Sequence, residues 1–184
     1  MNLHQLLKEV GKNDPIAQKR LFDLYSGSML LVCRRYIKDS QDAEEMLLNG
    51  FFKFYSSINS FRYINEAALY SWIKKIMVNE CLMFLRKKMA FVVIGDLPTE
   101  DQISNEDVLD KLNAEDIFRL VLELPTGYRT VFNLHAIEGW EHKEISKALG
   151  ISEGTSKSQL NKARKLLQKN LSQQGLIYEQ RKTN

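Results

Sequence analysis

Between residues 152 and 165 the chain carries side chains suited to holding a polyanion. Lys157, Lys162, Arg164 and Lys165 are long cationic donors, the usual partners of phosphate oxygens. Gln159 and Asn161 carry amides that donate and accept together, the pattern that can read the edge of adenine. Ser152, Thr155 and Ser158 add short hydroxyls at the front of the same stretch. A helix presenting this set suits a duplex major groove, with bases reached from its N-terminal turns and phosphates further along. The plain alternative is a helical hairpin whose basic face is only solvated.

Other chemistries find less support. A nucleic-acid-cleaving enzyme needs a serine or tyrosine nucleophile among clustered arginines, or carboxylates arranged around a metal. Arg34-Arg35-Tyr36 comes nearest, and a lone tyrosine beside two arginines is a common surface pattern. Cys33 and Cys81 lie far apart in apolar, helix-like sequence and read as buried free thiols. No Cys-x-x-Cys or His/Cys cluster offers metal-ligand spacing. The expectation is therefore a chain with no catalytic residues, no metal and no cofactor.

The elements that must position the basic stretch follow from spacing. Glu141–Leu149 reads as a helix with Ile145 and Leu149 inward, and Gly150 supplies the positive φ that ends it. Ile151 plugs the small core and Ser152 caps a second helix, in which Ser156, Leu160, Ala163 and Leu167 form the inward face. Helix, tight turn and basic helix make a helix-turn-helix pattern.

The remainder is also helical in period. Asp14-Pro15 opens a helix with an apolar stripe of Ile16, Leu21, Leu24, Leu31 and Val32. Ser40 reads as the N-cap of the next, which carries Met46, Leu47, Phe51, Phe54 and Tyr55. A third runs from Glu66 to about Lys88, and the helical period returns from Ala114 to about Gln173. No strand-length alternation occurs, so the expected fold is all-α. Charge divides the chain further. Residues 1–90 carry 14 bases and 9 acids, residues 91–116 one base and eight acids, and residues 117–184 eleven bases and six acids. Basic blocks favour polyanions. The expected organisation is an N-terminal helical domain at 1–90, a flexible acidic linker at 91–113, a helix-turn-helix domain at 114–175 and a frayed tail at 176–184. Val108–Leu112 could form a short helix within the linker. No apolar run reaches the roughly 20 residues of a membrane span. Met1–Gln5 lacks the features of a secretion signal, so the expected compartment is the cytoplasm, without membrane insertion.

Leu124-Pro125, Tyr128-Arg129, Ile137-Glu138-Gly139, Glu144-Ile145, Leu149-Gly150-Ile151-Ser152, Gly154-Thr155, Lys157-Ser158 and Ala163-Arg164 stand in an order and spacing that closely resembles the C-terminal domain of extracytoplasmic-function sigma factors. Asp42-Ala43-Glu44-Glu45, Phe51, Lys53, Phe61-Arg62, Trp72, Ile76, Asn79, Leu85 and Arg86 resemble that family's other domain. The resemblance spans roughly residues 14–170. It implies a protein that binds core RNA polymerase and promoter DNA and melts the promoter, with an anti-sigma factor as a further candidate partner.

Residue roles follow from the resemblance. Asp42, Glu44, Glu45, Asn49, Phe51, Phe52 and Tyr55 would dock on the polymerase. Ser152, Thr155, Lys157, Ser158, Gln159, Asn161, Lys162, Arg164 and Lys165 would contact the minus-thirty-five element. Lys75, Asn79 and Arg86 fall within about 40° of one another on a helical wheel. With Phe61, Tyr63 and Tyr70 as stacking platforms, they would engage the minus-ten element, whereas Trp72 reads as core. The acidic linker would thread the polymerase interior. Several positions depart from the family pattern: Leu48-Asn49-Gly50 where Gln-Glu is common, Met83 for Asp, Ser156 for Val, and Gln159 for a base. Ser156 is expected to bond a backbone group. Two other classes remain open on the sequence alone, a helix-turn-helix regulator with an N-terminal effector domain and a nucleic-acid enzyme.

Overall fold

The computed structural model describes residues 2–89 and 114–182. The acidic linker, with its Val108–Leu112 segment, lies outside the described residues. The chain divides into two compact units, Met1–Val92 and Val93–Asn184. Among the described residues every regular element is helical, as the periodicity requires.

The first unit opens with a helix that periodicity did not signal. In α1, Leu3–Gly11, the Asn2 side chain accepts the Gln5 N–H at 2.9 Å, and Leu6, Leu7 and Val10 are buried. Asn13, at φ 62°, turns the chain, and Asp14 caps α2, Pro15–Tyr36, by accepting from the Ile16 N–H. The stripe of α2 differs from the expected one. Ala17, Leu21, Tyr25, Met29, Val32, Cys33 and Tyr36 face inward. Ile16, Leu24 and Leu31 face outward, Ile16 being 79% exposed. Choosing only aliphatic side chains hides the true register. Tyr25, Met29, Cys33 and Tyr36 continue the i, i+4, i+7 pattern from Leu21, and Ile16 and Leu24 lie on the opposite side of the helix.

Helix α3, Ser40–Ser57, is capped by Asp39 rather than by Ser40, since the Asp39 carboxylate accepts the Asp42 N–H at 2.9 Å. Its inward face is Ala43, Met46, Leu47, Gly50, Phe51 and Phe54. A 3-10 turn, Ile58–Ser60, leads to α4, Glu66–Met89, which buries Leu69, Ile73, Met77, Val78, Cys81, Leu82 and Leu85. Helices α2, α3 and α4 pack against one another, and α1 lies on α2 and the 3-10 turn. Gly50 makes one close approach possible, because Met77 Sδ occupies the space where a Cβ would stand. Cys33 and Cys81 are free, buried thiols, as expected. Their hydrogen bond, with burial, pushes the Cys81 thiol up and leaves it unreactive.

In the second unit α5, Ala114–Glu123, and α6, Thr126–Phe132, are joined through Leu124-Pro125. Arg129 closes that corner from inside. It is 2% exposed and its guanidinium donates to the carbonyls of Leu122 (3.2 Å) and Leu124 (2.9 Å), which would otherwise end α5 unpaired. Burial holds its pKa below the ordinary guanidinium value. Helix α6 runs on into a π-helical turn, Asn133–Ile137, and Gly139, at φ 75°, reverses the chain. Then come α7, His142–Leu149, and α8, Glu153–Lys182. Helix α8 runs on to Lys182, through most of the 176–184 tail that was expected to fray. Residues 176–182 include Leu, Tyr, Glu, Gln, Arg and Lys, which cost a helix little, and no proline stops it.

Candidate nucleic-acid interface

The turn between α7 and α8 is built as its residues dictate. Glu144 accepts the Glu141 N–H at 2.9 Å, fixing the start of α7. Gly150 adopts φ 70°, and the Ile151 N–H bonds the Ser146 carbonyl at 3.1 Å. Ser152 Oγ accepts the Thr155 N–H at 2.9 Å, which caps α8. Ile145 is fully buried, and Leu149 and Ile151 are half-buried. On α8, Ser156, Leu160 and Ala163 face inward with Leu167 half-buried beside them.

Thr155, Lys157, Ser158, Asn161, Arg164 and Lys165 are exposed, and Lys162 is half-buried. At 100° per residue, Ser158, Asn161 and Lys165 lie opposite the inward face, with Lys157 and Arg164 along one flank and Thr155 and Lys162 turned toward the other. Gln159 falls on the other flank. It is half-buried, with its carboxamide 3.3–3.5 Å from where a Cβ on Gly127 of α6 would stand. That location gives Gln159 a packing contact the sequence did not signal and turns it away from the outer strip.

Ser156 has a partner other than the expected backbone group. Its hydroxyl is 2.9 Å from Nδ1 of His142, the first residue of α7. The His142 ring stacks on His135, with centroids 4.5 Å apart and planes at 14°. Nδ1 of His135 lies 2.9 Å from the Trp140 carbonyl. Desolvation, then His135, Lys157 and Arg164, hold His142 below the ordinary imidazole value, against an opposing pull from Glu153. Sequence reading passed over both histidines, since neither lies in a ligand-spaced group; their meeting depends on how the π turn packs against α7.

In the first unit Lys75, Asn79 and Arg86 are all exposed on one face of α4. Tyr70 is half-buried and lies about 180° around the helix from Asn79, nine residues being two and a half turns. It does not join that strip. Phe61 stacks on Trp72 at 4.5 Å and 9°, and Trp72 also meets Phe54 at 5.1 Å. Trp72 is thus a packing residue, as expected, and one face of Phe61 is already covered. Tyr63 stacks on His4 of α1 at 5.2 Å. Phe61 and Tyr63 line an open cavity of about 440 Å³, shared with His4, Lys8, Lys12 and Asn59. Helix α1 therefore contributes residues to this region that sequence reasoning missed.

On α3 the expected docking residues separate into two groups. Glu44, Glu45, Asn49 and Phe52 are exposed, Phe52 by 73%. Phe51 is buried among Phe22, Phe54 and Tyr55 and cannot meet a partner, because it falls on the inward face one turn after Leu47. Tyr55 is half-buried and donates its hydroxyl to the Gln18 carbonyl at 2.9 Å. Asp42 pairs with Lys88 at 2.9 Å. Leu48, not among the expected residues, is 59% exposed and stands one turn before Phe52. Lys53 pairs with the buried Glu80 of α4 and touches Met83 Sδ. Among the described residues there is no group of three metal-binding side chains, and no helix is long and apolar enough to cross a membrane.

Comparison with known proteins gives a consistent outcome. The Sigma-70 region 2 family matches residues 21–91, and the Sigma-70, region 4 family matches residues 114–167. The chain is similar to the RNA polymerase sigma-H factor of Pseudomonas aeruginosa, 25% identical over 191 residues, 91% of this chain and 92% of the relative. It is 24% identical to the ECF RNA polymerase sigma factor SigW of Bacillus subtilis, with 93% and 97% covered. It is 29% identical to the ECF RNA polymerase sigma factor SigM of Mycobacterium tuberculosis, with 87% and 80% covered. Among solved structures, sigma factor RpoE of Bartonella quintana, solved with the anti-sigma factor NepR, aligns with TM-score 0.49 and 20% identity over 84% of this chain and 96% of that one.

Proposed function

The chain belongs to the extracytoplasmic-function sigma factors, and from that membership we propose how its surfaces divide the work of initiation. It binds core RNA polymerase and directs promoter-specific transcription initiation, including promoter melting. The observation that carries the residue-level reading is the outer strip of α8, held by the Gly150 turn and the Ser152 cap. Ser158, Asn161 and Lys165 face the minus-thirty-five duplex most directly, and Ser152, Thr155, Lys157, Lys162 and Arg164 bind its phosphates from the flanks. Gln159 supports the helix against α6 and contacts DNA only at the edge of the strip.

Lys75, Asn79 and Arg86 hold the minus-ten strand, with Phe61 and Tyr63 at the cavity beside α1 offering ring faces to unpaired bases. On α3, Glu44, Glu45, Leu48, Asn49 and Phe52 meet the polymerase. Leu48 and Phe52 make that contact more apolar than the Gln-Glu pattern the family resemblance implied. An anti-sigma factor acts by covering these same faces. The chain carries no catalytic activity of its own and works in the cytoplasm.

Run-off transcription with core polymerase tests the whole reading, and promoter-dependent product is expected. Phe52→Glu should abolish product by weakening the polymerase complex while leaving the chain folded, since Phe52 is exposed. Lys162→Ala and Arg164→Ala should weaken promoter binding on every sequence and each reduce the salt slope by about one unit. Product from Phe52→Glu at the parental level would remove α3 from the polymerase contact.

A further inference from the structure

We propose that His142 belongs to the duplex-binding surface and takes up a proton when the upstream DNA engages α8. The inference rests on the reading of α8 as the duplex-contacting helix and adds a residue which that reading does not contain. Ser156 is buried on the inward face of α8. Its hydroxyl, 2.9 Å from Nδ1 of His142, ties the ring to that helix. One face of the ring stacks on His135. A carbonyl oxygen can only accept, so Nδ1 of His135, 2.9 Å from the Trp140 carbonyl, carries a proton.

The charged groups that act on His142 are His135 from the π turn, and Lys157, Arg164 and Glu153 from α8. Three of the four oppose a cation there and, after desolvation of the ring, hold His142 below the ordinary imidazole value. Lys157 and Arg164 are also the cations that phosphates neutralise when a duplex lies along the flank of α8. Each phosphate so placed removes the repulsion at His142 and adds an attraction. Protonation and duplex binding then favour each other, by the same factor in either direction. One proton taken up strengthens binding by at most about tenfold per pH unit.

The test uses holoenzyme assembled from the full chain and core polymerase, titrated with a fluorescent promoter fragment at constant salt between about pH 8 and about pH 6. The parent should bind several-fold more tightly at the acid end. His142→Gln keeps a hydrogen-bonding group for Ser156 but cannot titrate, and it should lose most of that gain; His142→Phe should do the same. Imidazole NMR of the DNA-free full chain should give His142 a midpoint below the ordinary histidine value. Equal pH slopes in the parent and His142→Gln overturn the proposal. So does an equal loss of affinity at every pH, which would make His142 a packing residue alone. Full promoter affinity in Lys157→Ala and Arg164→Ala holoenzyme would instead overturn the reading of α8 and this inference with it. Weakened binding in those two variants beside an unchanged pH slope in His142→Gln would fault the proton linkage only.

Discussion

Replacing Gly50 by alanine sets two effects of known sign against each other. In a helix interior, Gly→Ala is ordinarily stabilising by about 0.5–1 kcal/mol, because it removes backbone freedom from the unfolded chain. Gly50 lies inside α3 with ordinary helical φ, so that gain is available. The new Cβ, however, would overlap Met77 Sδ and stand 2.9 Å from its Cε. Met77 is fully buried on α4, so the thioether must move through packed side chains. Overpacking of this kind costs about 1–3 kcal/mol. The net expectation is a loss of about 1 kcal/mol for the first unit, because the overpacking cost exceeds the backbone gain. The two tryptophans make the assay clean, since Trp72 lies in the first unit and Trp140 in the second. In a Trp140→Phe background, urea unfolding followed by Trp72 fluorescence reports the first unit, with midpoint falling at constant slope. A second comparison fixes the cause. Met77→Ala alone should cost about 2–5 kcal/mol through the cavity it leaves. Adding Gly50→Ala to that variant should now raise stability, because the methyl enters vacated space and the helix gain survives. A stabilising Gly50→Ala in the Met77 parent would refute the argument, as would a second substitution that destabilises equally in both backgrounds.

Arg129→Met should cost the second unit about 1–3 kcal/mol by leaving the Leu122 and Leu124 carbonyls without their donor; Trp140 fluorescence in a Trp72→Phe background measures it. Tyr55, pushed up to about 12 by burial and by Asp23, stays neutral in the folded chain after an unfolded tyrosine, near 10, has ionised. Its contribution is present below about pH 10 and is lost as pH rises toward about 12. Unfolding midpoints over that window should fall, and Tyr55→Phe should flatten the part of the fall that Tyr25, shifted the same way, does not supply. Changing Asp96, Glu100, Asp101, Glu106 and Asp107 to Asn and Gln at fixed length should weaken binding to core polymerase and alter the yield of short abortive transcripts. Unchanged values for both would leave the linker as a tether whose charge does not matter.

The periodicity of apolar residues, the cap at Ser152 and the positive φ at Gly150 all act within a few residues of themselves. The helix-turn-helix and the all-α class were therefore legible in the amino-acid order alone. The same holds for the exposed strip of Lys75, Asn79 and Arg86, where helix geometry alone sets the angles. Facing is harder, because it depends on what lies opposite. Phe51 and Phe52 are adjacent, equally apolar and both plausible docking residues. Packing against Phe22, Phe54 and Tyr55 buries the first and leaves the second in solvent. Tyr70 and Asn79 could have been parted by counting turns. That α1 would bring His4 and Lys8 beside Tyr63 could not, because the two segments meet only in the tertiary fold. The departures from the family pattern at Gly50 and Ser156 likewise acquire a reason only across elements, one under Met77 of α4 and the other against His142 of α7. Local propensity determines which segments are helical; which side of each helix is inside, and which distant residue fills the space left by a small one, is decided where the helices cross.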